Sequence, residues 1–293
     1  MSKDNWIYPD QADFYGHWAR RDGQAAVEYY NNTCIHRREL HPHTPNEEYQ
    51  PYVQQLKEKG YCKIEGFFEK ETLLALKNEM VSLIDTNKHI KRQDAHHIVI
   101  DQPFLYTNTV QKIAFDQRLI DIATLFFDCT PGIGTCNLRQ SLESDLPAEG
   151  THFWHRDFNS PVKFMKFFFY LSDVTEESGP FSYVEESNNK MPNGWWAKHR
   201  WTDEDMKTIY GEDKIKHVTA NVGDLLMATT NGFHKGHKIQ KGTRYMLTVN
   251  FLIHPELAGG MEQAPEKRFQ MKKEDFDALP ENKKPVADFL IKV

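Results

Sequence analysis

The stretch RYMLTVNFLI, residues 244–253, alternates between an apolar face and a face that carries polar side chains. A period of two is typical of a β-strand that has one side against a core. An earlier run, FMKFFFYL at residues 164–171, is rich in aromatic strand formers and is followed by the turn residues Ser178, Gly179 and Pro180. Short strands bounded by turns predict a sandwich or jelly roll rather than repeated βαβ units.

Helical patterns occur before these strands. Apolar residues recur at helical spacing from Leu73 to Ile84 and again from Leu119 to Phe126. We therefore expect a mainly β protein with flanking helices that folds as a single domain. Within residues 1–293 we expect an N-terminal extension at 1–59, a strand with support helices at 60–134, a jelly-roll core at 135–255 with a lid-like insertion near 188–215, and a C-terminal tail at 256–293.

Composition argues against several classes of protein. The 293 residues carry a formal net charge of -6, with 36 Lys+Arg against 42 Asp+Glu, which disfavours a nucleic-acid-coating protein. No apolar run approaches the roughly 18 residues of a membrane span, so we expect neither a nucleic-acid nor a membrane partner. The first residues, MSKDNWIYPDQ, lack the apolar centre of a secretion signal, which favours the cytoplasm and free thiols at the four cysteines.

The motif WHRD at residues 154–157 is the clearest candidate for chemistry. On a strand, side chains two positions apart share a face, so His155 and Asp157 could point at one metal ion. The alternative interpretation is that His155 is a surface histidine next to a solvated aspartate, with no metal ion. A second motif, NGFHKG at residues 231–236, supplies His234. Two histidines and one carboxylate on a β scaffold form the facial triad of non-haem Fe(II) oxygenases.

Arg244 follows this second motif, on the polar face of the strand quoted first. Its guanidinium group is always charged and offers two parallel donors, which suits a carboxylate ligand. An ordinary salt bridge at the start of a strand would explain an isolated arginine as well. The position of Arg244 on the polar face of a half-apolar strand favours a role in a pocket.

Taken in chain order, these motifs resemble a known family. WHRD, then LSDV (171–174) with SGPF (178–181), then GFHKG (232–236) with Arg244 are similar to the phytanoyl-CoA dioxygenase-like family of 2-oxoglutarate-dependent oxygenases. The resemblance covers roughly residues 60–253. It implies a double-stranded β-helix core, which is a jelly-roll, cupin-like fold, and it implies an enzyme, a 2-oxoglutarate-dependent dioxygenase.

The resemblance also implies a site and its cofactors. Fe(II) would be held by His155, Asp157 and His234, with 2-oxoglutarate and O₂ as co-substrates. Arg244 would bind the distal carboxylate of 2-oxoglutarate, and Asn137 on the strand before WHRD would contact the same co-substrate. Because Asp157 is the carboxylate that related halogenases lack, we expect hydroxylation of a small organic molecule with release of succinate and CO₂.

One departure from the family pattern concerns the position two residues after His234. Some relatives carry a hydroxyl side chain there, whereas this chain has Gly236. The contact that this hydroxyl makes with the co-substrate is therefore either missing here or supplied by another residue, with Thr248 as the candidate. The tryptophan-rich segment at 194–201 has two interpretations, a satellite core or a lid that shields the iron from water.

Other assignments stay open at the level of sequence. His152 and His237 each lie three positions from a predicted ligand and could take its place. His96 and His97 precede a strand-like IVI run and are interpreted as loop or core residues. The same fold could also serve a non-redox binding protein, or a metal-dependent hydrolase or isomerase.

Overall fold

A large antiparallel sheet lies at the centre of the computed structural model, which describes residues 6–7, 19–86, 91–94, 96–157, 164–195, 198–253 and 269–293. The helices are α1 (Ala19–Leu40), α2 (Gln50–Lys59), α3 (Lys70–Thr86), α4 (Asn108–Ala114), α5 (Gln117–Phe127), α6 (Asp203–Tyr210) and α7 (Lys273–Asp277). The strands are β1 (Trp6–Ile7), β2 (Tyr61–Ile64), β3 (Lys91–Gln93), β4 (His97–Ile100), β5 (Gly132–Leu142), β6 (Met165–Tyr170), β7 (Phe181–Val184), β8 (Met191–Pro192), β9 (Ile215–Val218), β10 (Leu225–Ala228), β11 (His234–Gly236), β12 (Thr243–Leu252), β13 (Gln270–Met271) and β14 (Ile291–Lys292).

Two sheets form the core. The larger has the strand order β2-β10-β6-β12-β5-β4-β3, and the smaller has the order β11-β7-β9. All neighbouring strands in both sheets pair antiparallel. The large sheet includes β2, β3 and β4, which precede the segment expected to hold the jelly-roll core. Two packed antiparallel sheets with flanking helices confirm the predicted mainly β, jelly-roll fold.

Each face of the large sheet packs against a different partner. Phe167 and Phe169 of β6 join the main core with the support helices. Phe168 and Tyr170, which alternate with them, pack on the small sheet instead. The rings of Phe168 and Phe181 lie 5.1 Å apart between the two sheets. Side chains that alternate along β6 therefore serve two cores, and the space between the sheets is where a site can form.

The turn from α2 into β2 depends on Gly60. This residue ends the helix with φ of 89° and donates its N–H to the carbonyl of Leu56 at 2.9 Å. A left-handed backbone is unfavourable for residues with a Cβ. A Cβ at Gly60 would also overlap the side chain of Tyr183 in the small sheet. Gly60 therefore fixes both the turn and the approach of the helix layer to the sheets.

The support helices confirm the two helical patterns in the sequence. Helix α5 begins after Asp116, whose side chain accepts a hydrogen bond from the N–H of Arg118 at 2.9 Å. Its apolar face is buried and includes Leu119 and Ile122. Capping of the first turn and burial of one face together stabilise such a helix. Within the described residues, every helix is too short or too polar to span a lipid bilayer.

The two ends of the chain differ from expectation. The N-terminal extension contains the long helix α1, which has no clear apolar period and was not predicted from the sequence. Part of the C-terminal tail is buried rather than on the surface, since Met271, Val286 and Leu290 join the main core. The few apolar residues of the tail do not stand out in a sequence that is otherwise highly charged. Residues 254–268 of the tail lie outside the described part of the chain.

Candidate metal centre

Three side chains from two segments meet between the sheets. One ligand atom each from His155, Asp157 and His234 lies within 4.8 Å of the other two, the only such trio of histidine, cysteine or acidic side chains among the described residues. The Nε2 atom of His234 lies 3.5 Å from Asp157 Oδ2, and the Nε2 atom of His155 lies 3.9 Å from Asp157 Oδ1. The two imidazole rings have centroids 4.3 Å apart.

Backbone pairing holds the two segments together. The N–H of His155 donates to the carbonyl of His234 at 3.0 Å, and the N–H of His234 donates to the carbonyl of His155 at 3.0 Å. The N–H of Asp157 donates to the carbonyl of Thr230 at 2.8 Å. The geometry of the trio is therefore set by main-chain hydrogen bonds and does not depend on flexible side chains.

The outer nitrogen of each imidazole has a fixed partner. His155 Nδ1 lies 2.8 Å from the carbonyl oxygen of Phe153, and His234 Nδ1 lies 3.0 Å from that of Gly232. A carbonyl oxygen can only accept, so each Nδ1 carries the proton. Each Nε2 then presents a lone pair toward Asp157, which is the tautomer that a metal ligand needs.

Electrostatics keeps the trio in its ligating protonation states. Burial, together with the neighbouring His155, lowers the pKa of His234 to about 3. Burial also lowers the pKa of His155. For Asp157, burial acts to raise the pKa, but the Lys166 ammonium and the two histidines outweigh it and hold the pKa well below its usual range. At neutral pH the site therefore offers two neutral imidazoles and a carboxylate.

The donor set fits a ferrous ion. Two imidazole nitrogens and one carboxylate oxygen within 4.8 Å of one another match the donor set of the facial triad, which leaves other coordination positions open. Lys166 donates to Asp157 Oδ2 at 2.5 Å, on the oxygen nearest His234 Nε2, whereas Oδ1 lies nearest His155 Nε2. The residues present are therefore able to bind Fe(II).

Arg244 is a buried cation beside this trio. Its side chain is 5% exposed, and its Nη2 donates to Ser141 Oγ at 3.1 Å. Its Nε has no hydrogen-bond partner, and no acidic side chain of the described residues forms an ion pair with it. An unpaired buried charge is costly, so the guanidinium group fits a site that receives an anion.

The position of Gly236 shows where Arg244 lies relative to the metal centre. It lies two positions after His234 on β11, which is about 7 Å along the strand on the same face. A Cβ added at Gly236 would lie 3.8 Å from Nη2 of Arg244. The guanidinium group thus lies near the strand that carries His234. The absence of a side chain at Gly236 leaves that space open.

Ser141 is a residue that sequence reasoning missed. Its hydroxyl contacts Arg244, whereas Thr248, the hydroxyl proposed from the sequence, pairs with Asn137 and Phe168 farther along the sheet. A contact of Thr248 with the co-substrate stays a prediction. The strand pairing of Ser141 opposite Arg244 determines the contact, and a sequence without known register gives no sign of it.

The other sequence candidates have different surroundings. Asn137 lies on the same face of the sheet as Arg244 but four positions away in register, and its amide donates to Asp101 at 3.2 Å. Its role toward the co-substrate stays a prediction. The rival ligands His152 and His237 lie outside the trio: Nδ1 of His152 accepts from the N–H of Glu149 at 3.1 Å, and His237 contacts His217.

The tryptophan-rich insertion packs against the WHRD segment. Trp201 forms a two-way backbone bridge with Trp154, with N···O distances of 3.0 and 2.9 Å. Trp195 joins Trp154 and Phe233 in a separate apolar cluster. The guanidinium group of Arg156 lies 4.2 Å from the centre of the Trp195 ring. The satellite-core interpretation of this segment is therefore confirmed for its described residues.

Comparison with known proteins identifies a family for this chain. The family model described as phytanoyl-CoA dioxygenase matches residues 56–242. No curated protein matches the sequence. Among solved structures, the chain is similar to the α-ketoglutarate-dependent epimerase SnoN in complex with Fe3+, α-ketoglutarate and nogalamycin RO. The identity is 14% and the TM-score is 0.56, over 70% of this chain and 83% of that chain.

Two further structures share the fold. HygX from Streptomyces hygroscopicus, solved with nickel and 2-oxoglutarate bound, has 14% identity and a TM-score of 0.53 over 69% of this chain and 86% of that chain. EctD from S. alaskensis, solved with 2-oxoglutarate and 5-hydroxyectoine, has 15% identity and a TM-score of 0.54 over 68% of this chain and 74% of that chain. At these identities the likeness shows the fold alone.

The family match covers more than half of the chain and includes both segments that carry the His-Asp-His trio. It supports an enzyme over the non-redox binding protein that the sequence left open. The trio supplies the donors that a ferrous ion needs, and Arg244 supplies a buried cation beside it. The chain therefore belongs to the phytanoyl-CoA dioxygenase family and is a 2-oxoglutarate-dependent, non-haem iron enzyme.

Proposed function

We propose that this enzyme hydroxylates a small organic molecule and releases succinate and CO₂. In this proposal His155, Asp157 and His234 bind Fe(II), and Arg244 binds the distal carboxylate of 2-oxoglutarate. The observation that supports it most is the trio of ligand atoms within 4.8 Å, next to a buried arginine with no acidic partner among the described residues. When bound, iron and 2-oxoglutarate together supply the oxidising chemistry, with O₂ as the oxidant.

The protein's own part begins with the metal ligands. The carbonyl groups of Phe153 and Gly232 orient the two imidazoles, so that both Nε2 atoms face Asp157. Lys166 holds one oxygen of Asp157 and keeps the carboxylate ionised. These contacts fix orientation and protonation before any metal arrives, which favours a rigid facial site.

The second part is co-substrate recognition. Ser141 holds Nη2 of Arg244, which leaves the rest of the guanidinium edge for a carboxylate. Such a pair would orient the diacid, with its distal carboxylate at Arg244 and its keto acid end toward the trio. Burial strengthens this ion pair because little water competes for the guanidinium group.

The third part is the exclusion of water. Trp154, Trp195 and Phe233 form an apolar cluster against the segments that carry His155 and His234. We infer that this insertion also serves as a lid, because an oxidising site must keep water and protein side chains away from the reacting atoms. The enzyme would work in the cytoplasm, as the sequence predicts.

Asp157 supports hydroxylation over halogenation. A carboxylate at that position occupies the place that halide would need at the metal. The similar structures include an epimerase and a carbocyclase, acting in nogalamycin biosynthesis, so the fold is compatible with other oxidations. Hydroxylation adds one oxygen atom from O₂ to the substrate. Because this gain is easy to detect, hydroxylation is the reaction to test first.

The test is a screen of small organic molecules in the presence of Fe(II), 2-oxoglutarate, ascorbate and O₂. The release of succinate is measured for each molecule. We expect one class of molecule to raise succinate production and to gain one oxygen atom by mass spectrometry. Asp157→Ala should abolish the coupled reaction, whereas Asp145→Ala, a change at an exposed residue, should not. Wild-type succinate production in Asp157→Ala would contradict the assignment of this ligand.

A further inference from the structure

One of three neighbouring histidines, His97, lies on the same face of the large sheet as Arg244. His97 on β4 pairs with Ser141 on β5, which in turn pairs with Arg244 on β12, so these three form one row across the sheet. The ring of His152 lies 5.7 Å from that of His97 and 4.7 Å from that of His96. We call His96, His97 and His152 the histidine cluster.

Three buried ring nitrogens of the histidine cluster, on His96 and His97, lack hydrogen-bond partners. His96 is 2% exposed, and neither of its ring nitrogens forms a hydrogen bond. Its nearest acidic group is Oε1 of Glu149 at 3.6 Å, on a largely exposed side chain. The Nδ1 atom of His97 is also buried without a partner. Buried polar groups in a folded protein are nearly always bonded, so these atoms point to a ligand.

The surroundings of the cluster are mostly positive. Arg139 lies on the same sheet face, diagonally beside Arg244 in the strand register. Burial, together with the charge of Arg139, lowers the pKa of His97 to about 4. The carboxylate of Asp94, an exposed residue, already accepts the backbone N–H groups of His96 and His97 at 2.8 and 2.7 Å. Such a field favours a negatively charged group.

A second metal ion fits this cluster poorly. Across the part of the chain that the structure describes, the three histidines do not bring their ring nitrogens within the distance that a shared ion requires. Neutral imidazoles can instead each donate one N–H to an oxygen atom. Three imidazole donors beside arginine charges suit the several oxygen atoms of a carboxylate or phosphate.

We propose that the histidine cluster binds an oxyanion of the primary substrate, a carboxylate or a phosphate group. This proposal rests on the proposed function, because it takes Arg244 to be occupied by 2-oxoglutarate and the metal to be bound by the trio. The substrate class is then a small organic acid or phosphate ester. Its anionic end lies at the cluster, and the carbon to be oxidised lies toward the metal centre.

The test uses the full chain loaded with Ni(II) and saturating 2-oxoglutarate, so that Arg244 is occupied. Inorganic phosphate and acetate are titrated at constant ionic strength by isothermal titration calorimetry. We expect saturable binding of at least one of them, which also identifies the preferred oxyanion. His97→Leu and His152→Leu should each weaken that binding about tenfold or more, because a hydrogen bond to a charged group is lost.

Controls separate binding from folding. His199→Leu, at an exposed histidine, should bind the oxyanion as the wild type does. His97→Gln keeps an N–H donor and should recover part of the affinity. The calorimetric affinity for 2-oxoglutarate should stay unchanged in the Leu variants, which shows that the metal centre is intact.

Three results would overturn the proposal. They are no saturable binding of either anion, equal binding by wild type and both Leu variants, or binding only in the absence of 2-oxoglutarate. The last result would mean that the cluster is part of the co-substrate site. A failure of the proposed function is distinguishable, because it appears as missing 2-oxoglutarate binding or missing succinate release, whether or not phosphate binds.

Discussion

The Nε2 atom of His234 lies 3.5 Å from Oδ2 of Asp157, although the two residues belong to segments that are far apart in the chain. The pairing of strand β11 with the WHRD segment brings them together through reciprocal backbone hydrogen bonds between His234 and His155. Main-chain hydrogen bonds of this kind hold the ligand-bearing segments together. Little conformational entropy then opposes ligation, and the three ligands act as a unit.

Loss of one imidazole should remove metal binding. His155→Ala and His234→Ala each delete a ligand whose Nε2 faces Asp157, so we expect the affinity for Ni(II) to fall by at least about 100-fold. Isothermal titration calorimetry of the metal-free protein measures this directly. His36→Ala, at an exposed position of α1, is the matched control and should leave the affinity unchanged. Retained affinity in His234→Ala would favour another histidine, such as His237, as the ligand.

Arg244 should control the affinity for 2-oxoglutarate. Arg244→Lys keeps a positive charge but loses the planar fork, so we expect KM for 2-oxoglutarate to rise about 10- to 100-fold with a smaller effect on kcat. Ser141→Ala removes only the hydroxyl that holds Nη2 and should raise KM less. Steady-state rates of succinate release measure both changes. An unchanged KM in Arg244→Lys would mean that another group binds the distal carboxylate.

The free energy of unfolding of the metal-free protein should decrease as the pH is lowered. Burial lowers the pKa of His152 to about 4, with His96 contributing, and burial likewise lowers that of His97 to about 4. In the unfolded chain a histidine titrates near about 6.5. Between pH 6.5 and 4 the unfolded state therefore binds more protons, and the free energy of unfolding decreases as pH falls.

Urea unfolding at several pH values between 7 and 4 measures this dependence. The variant His97→Leu/His152→Leu lacks two of the responsible groups, so its unfolding free energy should change less across the same range. His199→Leu should keep the wild-type slope. A double variant with the full wild-type slope would show that the cluster is not the source of the pH dependence.

Gly60 should tolerate substitution less well than Gly66. Both residues have positive φ, of 89° and 60°, so alanine costs about 1–2 kcal/mol of backbone strain at either position. Only at Gly60 would the new methyl group also overlap a side chain, that of Tyr183; around Gly66 the space is open. We expect Gly60→Ala to lower the free energy of unfolding clearly more than Gly66→Ala, by urea unfolding. Equal losses would show that the Tyr183 ring moves aside freely.

Local patterns in the sequence predicted a large part of the fold. The alternation in β12 and the helical spacing of α3 and α5 are signals of short range, and the structure has these elements. Helix α1 was missed because its apolar residues are few and lack a regular period. The burial of Val286 and Leu290 was missed because it depends on contacts with distant segments.

In the candidate site too, some residues can be predicted from short motifs and others only from the strand pairing. His155, Asp157 and His234 lie in short motifs that a reader can recognise, and the structure brings their side chains together. Ser141 and the histidine cluster depend on which strand lies beside which, and at what register. A one-residue shift in register would turn Ser141 to the opposite face, so sequence alone does not specify its contact with Arg244.

The most direct test is an absorption spectrum of the full chain under anaerobic conditions with Fe(II) and 2-oxoglutarate. If His155, Asp157 and His234 bind iron while Arg244 holds the co-substrate, the wild type should give a weak visible charge-transfer band that neither addition gives alone. The band should be lost in His234→Ala and should need more 2-oxoglutarate in Arg244→Lys. No band in the wild type, or an equally intense band in His234→Ala, would contradict the assignment of the metal centre.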